Sequence, residues 1–237
     1  MKKILSMVLA AVMALSLTAC GGQEDAGTPP PEEKPVKNPV RSELYDSDGN
    51  KMADIAHEYD SSGRRISNTT TWVINGESET DTYTYDENGN VVKKVYTNSY
   101  SPGYENVTNY IYDTDGRLIK ENHGAEEFYM GYEYDENGHL AKRFNMNDGT
   151  MSEYFTTYQC DAQGNVLVMT DDWDDGFVAT NTYSYDADGK MLKMDYAVNG
   201  QVLYTHEYEY DAEGNLTKQG VSIESWKIEG YVVHYYE

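Results

Sequence analysis

One short phrase, Tyr-Asp-x-x-Gly, constrains this chain more than anything else in it. It recurs as Tyr45-Asp46 with Gly49, Tyr59-Asp60 with Gly63, Tyr85-Asp86 with Gly89, Tyr112-Asp113 with Gly116, Tyr134-Asp135 with Gly138, Tyr185-Asp186 with Gly189 and Tyr210-Asp211 with Gly214. A variant, Cys160-Asp161 with Gly164, makes eight copies. After a first step of 14 residues, the aspartates stand 22 to 27 residues apart. A period of this size marks one supersecondary unit used repeatedly. Asp at the first position of a type I turn accepts a hydrogen bond from the backbone two residues on. Gly at the fourth supplies the left-handed residue of a three-residue hairpin loop with a G1 bulge. Each copy is therefore a predicted hairpin tip.

The segments between tips carry their own turn signals: Asn75-Gly76, Ser101-Pro102-Gly103, Asn122-His123-Gly124, Asn147-Asp148-Gly149, Asp175-Gly176 and Asn199-Gly200. Turns thus alternate between two edges, and the chain reads as all-β. The expected architecture is an antiparallel meander of roughly fifteen strands, forming one long, twisted and curled sheet. On paper Tyr185 pairs with Met191, Tyr183 with Lys193 and Val198 with Gln201; the Asn147 turn fits as a three-residue loop, and the Asn75 turn needs a bulge. Period-2 alternation puts Tyr83, Tyr85, Tyr110, Tyr112, Tyr132, Tyr134, Tyr158, Tyr183, Tyr185, Tyr208 and Tyr210 on one face, the concave side of the curl. Thr84, Glu133, Ser184 and Glu209 fall on the other. Tyrosine supplies 23 of the 30 aromatic residues, which suits strands with wettable faces.

Residues 1–19 read as a signal peptide: Lys2 and Lys3, then an apolar stretch from Ile4 to Leu15. Leu17-Thr18-Ala19-Cys20 resembles a bacterial lipobox, which implies cleavage before Cys20 and acylation of its thiol. Residues 20–41 then form the lipidated Cys and a tether holding five of the six prolines, and at ~3.1 Å per residue it reaches ~60 Å. The repeat domain covers 42–220, and 221–237 reads as a capping strand over a sheet edge. These features place the protein on the extracytoplasmic face of the membrane, held by a lipid anchor (the outer membrane where the host has two). Loss of Lys2 and Lys3 takes the formal charge from −23 to −25. That acidity excludes a nucleic-acid binder and a polybasic lipid-binding patch.

The run Tyr210-Asp211-Ala212-Glu213-Gly214-Asn215-Leu216, with Tyr85 to Val91 and Tyr134 to Leu140, resembles the YD repeat of Rhs-type proteins, teneurins and insecticidal toxin complexes. The resemblance covers about residues 45–217. It implies a long spiralling β-sheet, which in large members is a shell around a toxic C-terminal segment; this chain has fewer repeats and no such segment.

No catalytic motif stands out. His57, His123, His139, His206 and His234 share neither a motif nor a repeat position, and Cys160 occupies a tyrosine slot. Asp46 to Gly49, Asp113 to Gly116 and Asp186 to Gly189 look like the middle of a calcium loop. Aligning Gly138 in the same way puts Phe144 at the twelfth position, so the turn reading is kept and no metal or cofactor is expected. The acidic run Asp171-Asp172-Trp173-Asp174-Asp175 is the best cation candidate. Tyr110, Tyr112, Tyr132, Tyr134, Tyr183, Tyr185, Tyr208 and Tyr210 are either the packed interior of the curl or a face for stacking on a ligand. The expectation is a monomeric, non-enzymatic surface module for a glycan, peptide or protein. Two alternatives remain: a structural envelope protein or remnant of an Rhs-like system, and a glycan- or wall-acting hydrolase.

Overall fold

A computed structural model describes residues 37–124, 127–173, 176–223 and 228–236. The expected signal peptide, Cys20 and most of the tether lie outside the described residues, as do Asp174 and Asp175 of the acidic run. The described chain forms sixteen strands. They are β1 (Arg41–Asp46), β2 (Lys51–Tyr59), β3 (Arg65–Trp72), β4 (Ser78–Tyr85), β5 (Val91–Asn98), β6 (Glu105–Tyr112), β7 (Leu118–Asn122) and β8 (Phe128–Tyr134). The second half holds β9 (Leu140–Asn147), β10 (Thr150–Cys160), β11 (Val166–Trp173), β12 (Phe177–Tyr185), β13 (Met191–Val198), β14 (Gln201–Tyr210), β15 (Leu216–Ile223) and β16 (Ile228–Tyr235).

Each strand pairs with its chain neighbours, and β1 pairs with β16, so the sheet closes into a barrel. This corrects the expected open, curled sheet. It equally overturns the resemblance to Rhs-type YD repeats, whose implied product is a spiral with free ends. Closure has a local cause. One pair beyond each tip the register slips, between Glu58 and Tyr59, Thr84 and Tyr85, Ile111 and Tyr112, and onward to Glu209 and Tyr210. Each slip is a bulge that adds twist and bend, and the bending accumulates until the first and last strands meet. Closure satisfies the backbone groups that an open sheet leaves unpaired at its edges. β16 pairs with both β15 and β1, so it has no open edge to cover. The slip also moves pairs: Tyr185 faces Met191 as expected, but Tyr183 faces Met194, not Lys193.

The tips follow their predicted chemistry. In all eight, the glycine N–H donates to the aspartate carbonyl at 3.0–3.2 Å, with glycine φ between +77° and +90°. In seven of them Asp Oδ1 accepts the amides two and four residues on, as at Asp60 from Ser62 and Arg64, both 2.9 Å. The Arg64 amide, with its guanidinium behind, holds Asp60 below the usual carboxylate range. At the other rim Asn199-Gly200 (φ +47° and +81°) and Asp148-Gly149 (+49° and +75°) make two-residue turns. Asn147 faces Thr150, so that loop is one residue shorter than expected.

The first tip is on the wrong side. The 14-residue step from Asp46 to Asp60 holds a single strand, so Asp46–Gly49 turns at the rim opposite the other seven. At the seven-tip rim the eighth position carries no hairpin. The chain enters and leaves there, where the Val40 N–H donates to the Tyr235 carbonyl at 2.9 Å.

Candidate functional site

The inner wall is built in levels. At the seven-tip rim six tyrosine hydroxyls reach back about twenty residues to the first strand carbonyl after the preceding tip. Tyr85 donates to Arg65, Tyr112 to Val91, Tyr134 to Leu118, Tyr185 to Val166, Tyr210 to Met191 and Tyr236 to Leu216, at 2.5–2.9 Å. Tyr59 donates to Pro39, in the entering segment, at 2.9 Å. Cys160 holds the remaining place with a weaker Sγ contact of 3.6 Å to Leu140. Tyr236 thus belongs to the repeat, although Glu rather than Asp follows it. Burial pushes Tyr185, Tyr210 and Tyr236 up to about 12.

Two residues deeper runs a second ring: Tyr83, Tyr110, Tyr132, Tyr158, Tyr183 and Tyr208, completed by His57 and His234. Burial raises the pKa of every tyrosine in it. The Tyr132 hydroxyl donates to Glu121 at 2.8 Å. Of the eight tyrosines singled out from sequence, Tyr112, Tyr134, Tyr185 and Tyr210 are committed to the carbonyl ladder. Tyr110, Tyr132, Tyr183 and Tyr208 line the lumen as half-buried rings. Tyr196 stacks on Tyr204 at 4.7 Å, and Tyr204 on His206 at 4.9 Å, extending the aromatic wall towards the far rim.

The wall also carries charge. Arg143 donates to Thr156 (3.0 Å), which donates in turn to Asp171 at 2.5 Å. Glu79 and Asp81 on β4 are 2% and 1% exposed, with Lys94 at 3.9 Å from Asp81. Burial pushes Glu79 up to about 7 and raises Asp81.

His57 and His234 do share a repeat position, against the sequence reading: both take the tyrosine place two before the ladder residue, and both flank β1. Between them lies Ser42, whose Oγ is 2.7 Å from His57 Nε2 and 2.7 Å from His234 Nδ1. His57 Nδ1 is 2.7 Å from Asn68 Oδ1, and Asn68 Nδ2 donates to the Tyr83 hydroxyl at 3.2 Å. Asn68 Oδ1 only accepts, which fixes the tautomers. His57 Nδ1 carries the proton, its Nε2 accepts from Ser42, and Ser42 accepts from His234 Nδ1. Ser42, His57 and Asn68 are thus connected like a nucleophile, a base and an orienting group. Ser42 is only 1% exposed, closed in between the two rings. On the outer side of the same junction Glu43 accepts from Tyr235 (2.6 Å), Tyr45 (2.7 Å), Arg41 (2.8 Å) and Lys51 (2.9 Å). The Tyr235 hydroxyl, then Tyr45 and Lys51, hold its carboxyl far below the usual range.

The outer wall carries polar and charged side chains along its height: Asp54, Thr82, Thr182 and Glu207 are exposed in mid-strand, and Glu58, Lys93, Glu133, Lys193 and Glu209 one level nearer the tips. Large exposed apolar side chains stand among them, with Phe155 in mid-strand. Ile66, Ile111, Ile119, Leu167 and Leu192 lie by the tips, and Ile74, Tyr100, Phe128, Phe177 and Leu203 by the far turns.

No known protein family matches the sequence, and no curated protein is similar to it. Solved structures that match this chain include two porin-like proteins. A porin-like protein from Bacteroides uniformis aligns with TM-score 0.53 and 14% identity, covering 86% of this chain and 99% of that one. A porin-like protein from Bacteroides vulgatus aligns with TM-score 0.38 and 12% identity, covering 85% and 99%. The first likeness establishes a shared barrel fold.

Proposed function

We propose that this protein is a non-enzymatic, extracytoplasmic envelope protein whose barrel stands in water and is held to the membrane by its N-terminal segment through Cys20. The observation that carries this reading is the outer wall. A barrel that crosses lipid presents an apolar band about 25 Å tall, and a Lys or Arg at mid-membrane costs about 2–4 kcal/mol. Here charged Asp54 and Glu207 stand exposed in mid-strand, with Glu58, Lys93, Glu133, Lys193 and Glu209 one level nearer the tips, so charge interrupts any such band on the described outer wall. The inner wall is the binding face: phenol rings offer flat apolar surfaces with polar edges, suited to a sugar or a short peptide. Cys20→Ala in the full chain tests attachment. The reading expects the variant to leave the membrane fraction without detergent; a variant still extractable only with detergent would sink it.

A second reading, an aqueous pore, is favoured by the closed sixteen-strand barrel with a polar inner wall and by the porin-like description of the Bacteroides uniformis protein. Stepwise conductance after reconstitution in planar bilayers would establish it.

A further inference from the structure

We infer that Ser42, His57 and His234 form an acid-released clasp on the barrel seam. Among the described residues, β1 and β16 are the only paired strands that are not consecutive in the chain, so no hairpin holds them together. The clasp crosses that junction. His234 on β16 donates to Ser42 on β1, Ser42 to His57 on β2, and His57 to Asn68 on β3. The hydrogen-bond circuit works only with both imidazoles neutral. A proton on His57 Nε2 turns an acceptor into a donor aimed at Ser42, which already accepts from His234 and then loses the acceptor for its own hydroxyl. His234 Nε2 is buried and has no hydrogen-bond partner among the described residues, so a proton placed there gains none from them.

The surroundings reinforce this. Arg65 on β3 is the charged side chain acting on both rings, and it opposes a second positive charge. The other inward side chains near them by register are not cations: Tyr83 on β4, bonded to Asn68, Gln219 on β15, opposite Val232, and Tyr59 and Tyr236 two residues on in the histidines' own strands. Burial holds both histidines at about 4. Glu43, outside the wall, titrates at far lower pH. Glu79 sits on β4, towards the far rim.

Hydrogen exchange of the full chain at about pH 7 and about pH 5, corrected for intrinsic rates, tests the clasp. Protection of β1 and β16 is expected to fall roughly tenfold or more beyond any fall in β10 to β12. In a His57→Gln/His234→Gln variant the difference between the two regions should vanish. Equal losses in both regions, or a seam-specific loss that survives in the double variant, would overturn the inference. Should the variant not fold, imidazole titration by NMR in the natural chain decides. In the closed chain both rings should titrate near 4, and titration of either ring near 6.5, the value of an exposed imidazole, refutes the clasp.

Discussion

The wall from β5 to β14 and the seam from β15 through β1 to β4 solve the same problem differently. Along the wall a single device repeats. An Asp-capped tip joins two strands, a bulge bends them, and a tyrosine bonds the carbonyl of the preceding unit. At the seam the tip is missing, and several unlike devices replace it. Leu44, Ala53, Trp72, Val221 and Val232 make a buried apolar cluster there, with Met52 packed against it. Ser42 and the two histidines lie one level above, and Glu43 gathers four donors outside. Covalent linkage lets the wall be built from many weak, identical contacts. A junction without a hairpin must reinforce its backbone ladder with side chains to hold β16 in register against β1, and its residues are correspondingly more buried and more specific.

The contrast can be broken from either side. Leu44→Ala should cost about 2–5 kcal/mol in urea unfolding, because it opens a cavity in the cluster that joins β1 to β16. Acidity should act next. The folded-state pKa of His57 and of His234 is depressed from 6.5 to about 4. The unfolded chain therefore binds more protons in that window, and stability falls as pH drops from about 6.5 towards 4. Each histidine contributes at most about 3 kcal/mol before solvent screening. Glu79 has the opposite sign. Raised from 4.5 to about 7, it is protonated in the folded chain, and its effect is lost as pH climbs through that value. Glu79→Gln should therefore steepen the acid loss between pH 4.5 and 7, read by urea melts across pH.

Within the wall the effects should be smaller and uniform. Tyr185→Phe leaves the Val166 carbonyl without its phenol donor and should cost about 1 kcal/mol, whereas Cys160→Tyr should restore the missing rung and raise the melting temperature. Smallest of all, Leu192→Ala at an exposed bulge should stay within about 0.5 kcal/mol. If Tyr185→Phe cost as much as Leu44→Ala, the distinction between wall and seam would fail.

The tips were legible because everything that makes them is local. Asp60 finds its amides at Ser62 and Arg64, and Gly63 its conformation, within one loop. The tyrosine band was legible for a related reason: Tyr183 and Tyr185 share a face whatever happens further along. Pairing was not, since the slip beside Tyr185 sends Tyr183 to Met194, and a bulge leaves no plain mark in a sequence. The clasp was missed although a signal existed. His57-Glu58-Tyr59 and His234-Tyr235-Tyr236 copy the spacing of Tyr83-Thr84-Tyr85, with histidine in the tyrosine place. Finding it required counting Tyr236 as a repeat tyrosine, and the Glu237 that follows in place of Asp hid that.

The amino-acid order by itself determined hairpins, their alternation and a face of tyrosine, because each depends on contacts a few residues apart. Only the tertiary structure decided that the layer closes, that the inner wall is a lumen, and that Ser42 meets two histidines. Closure turns on the sum of many small bends, and the seam joins strands separated by nearly the whole described chain; neither quantity is written in any single repeat.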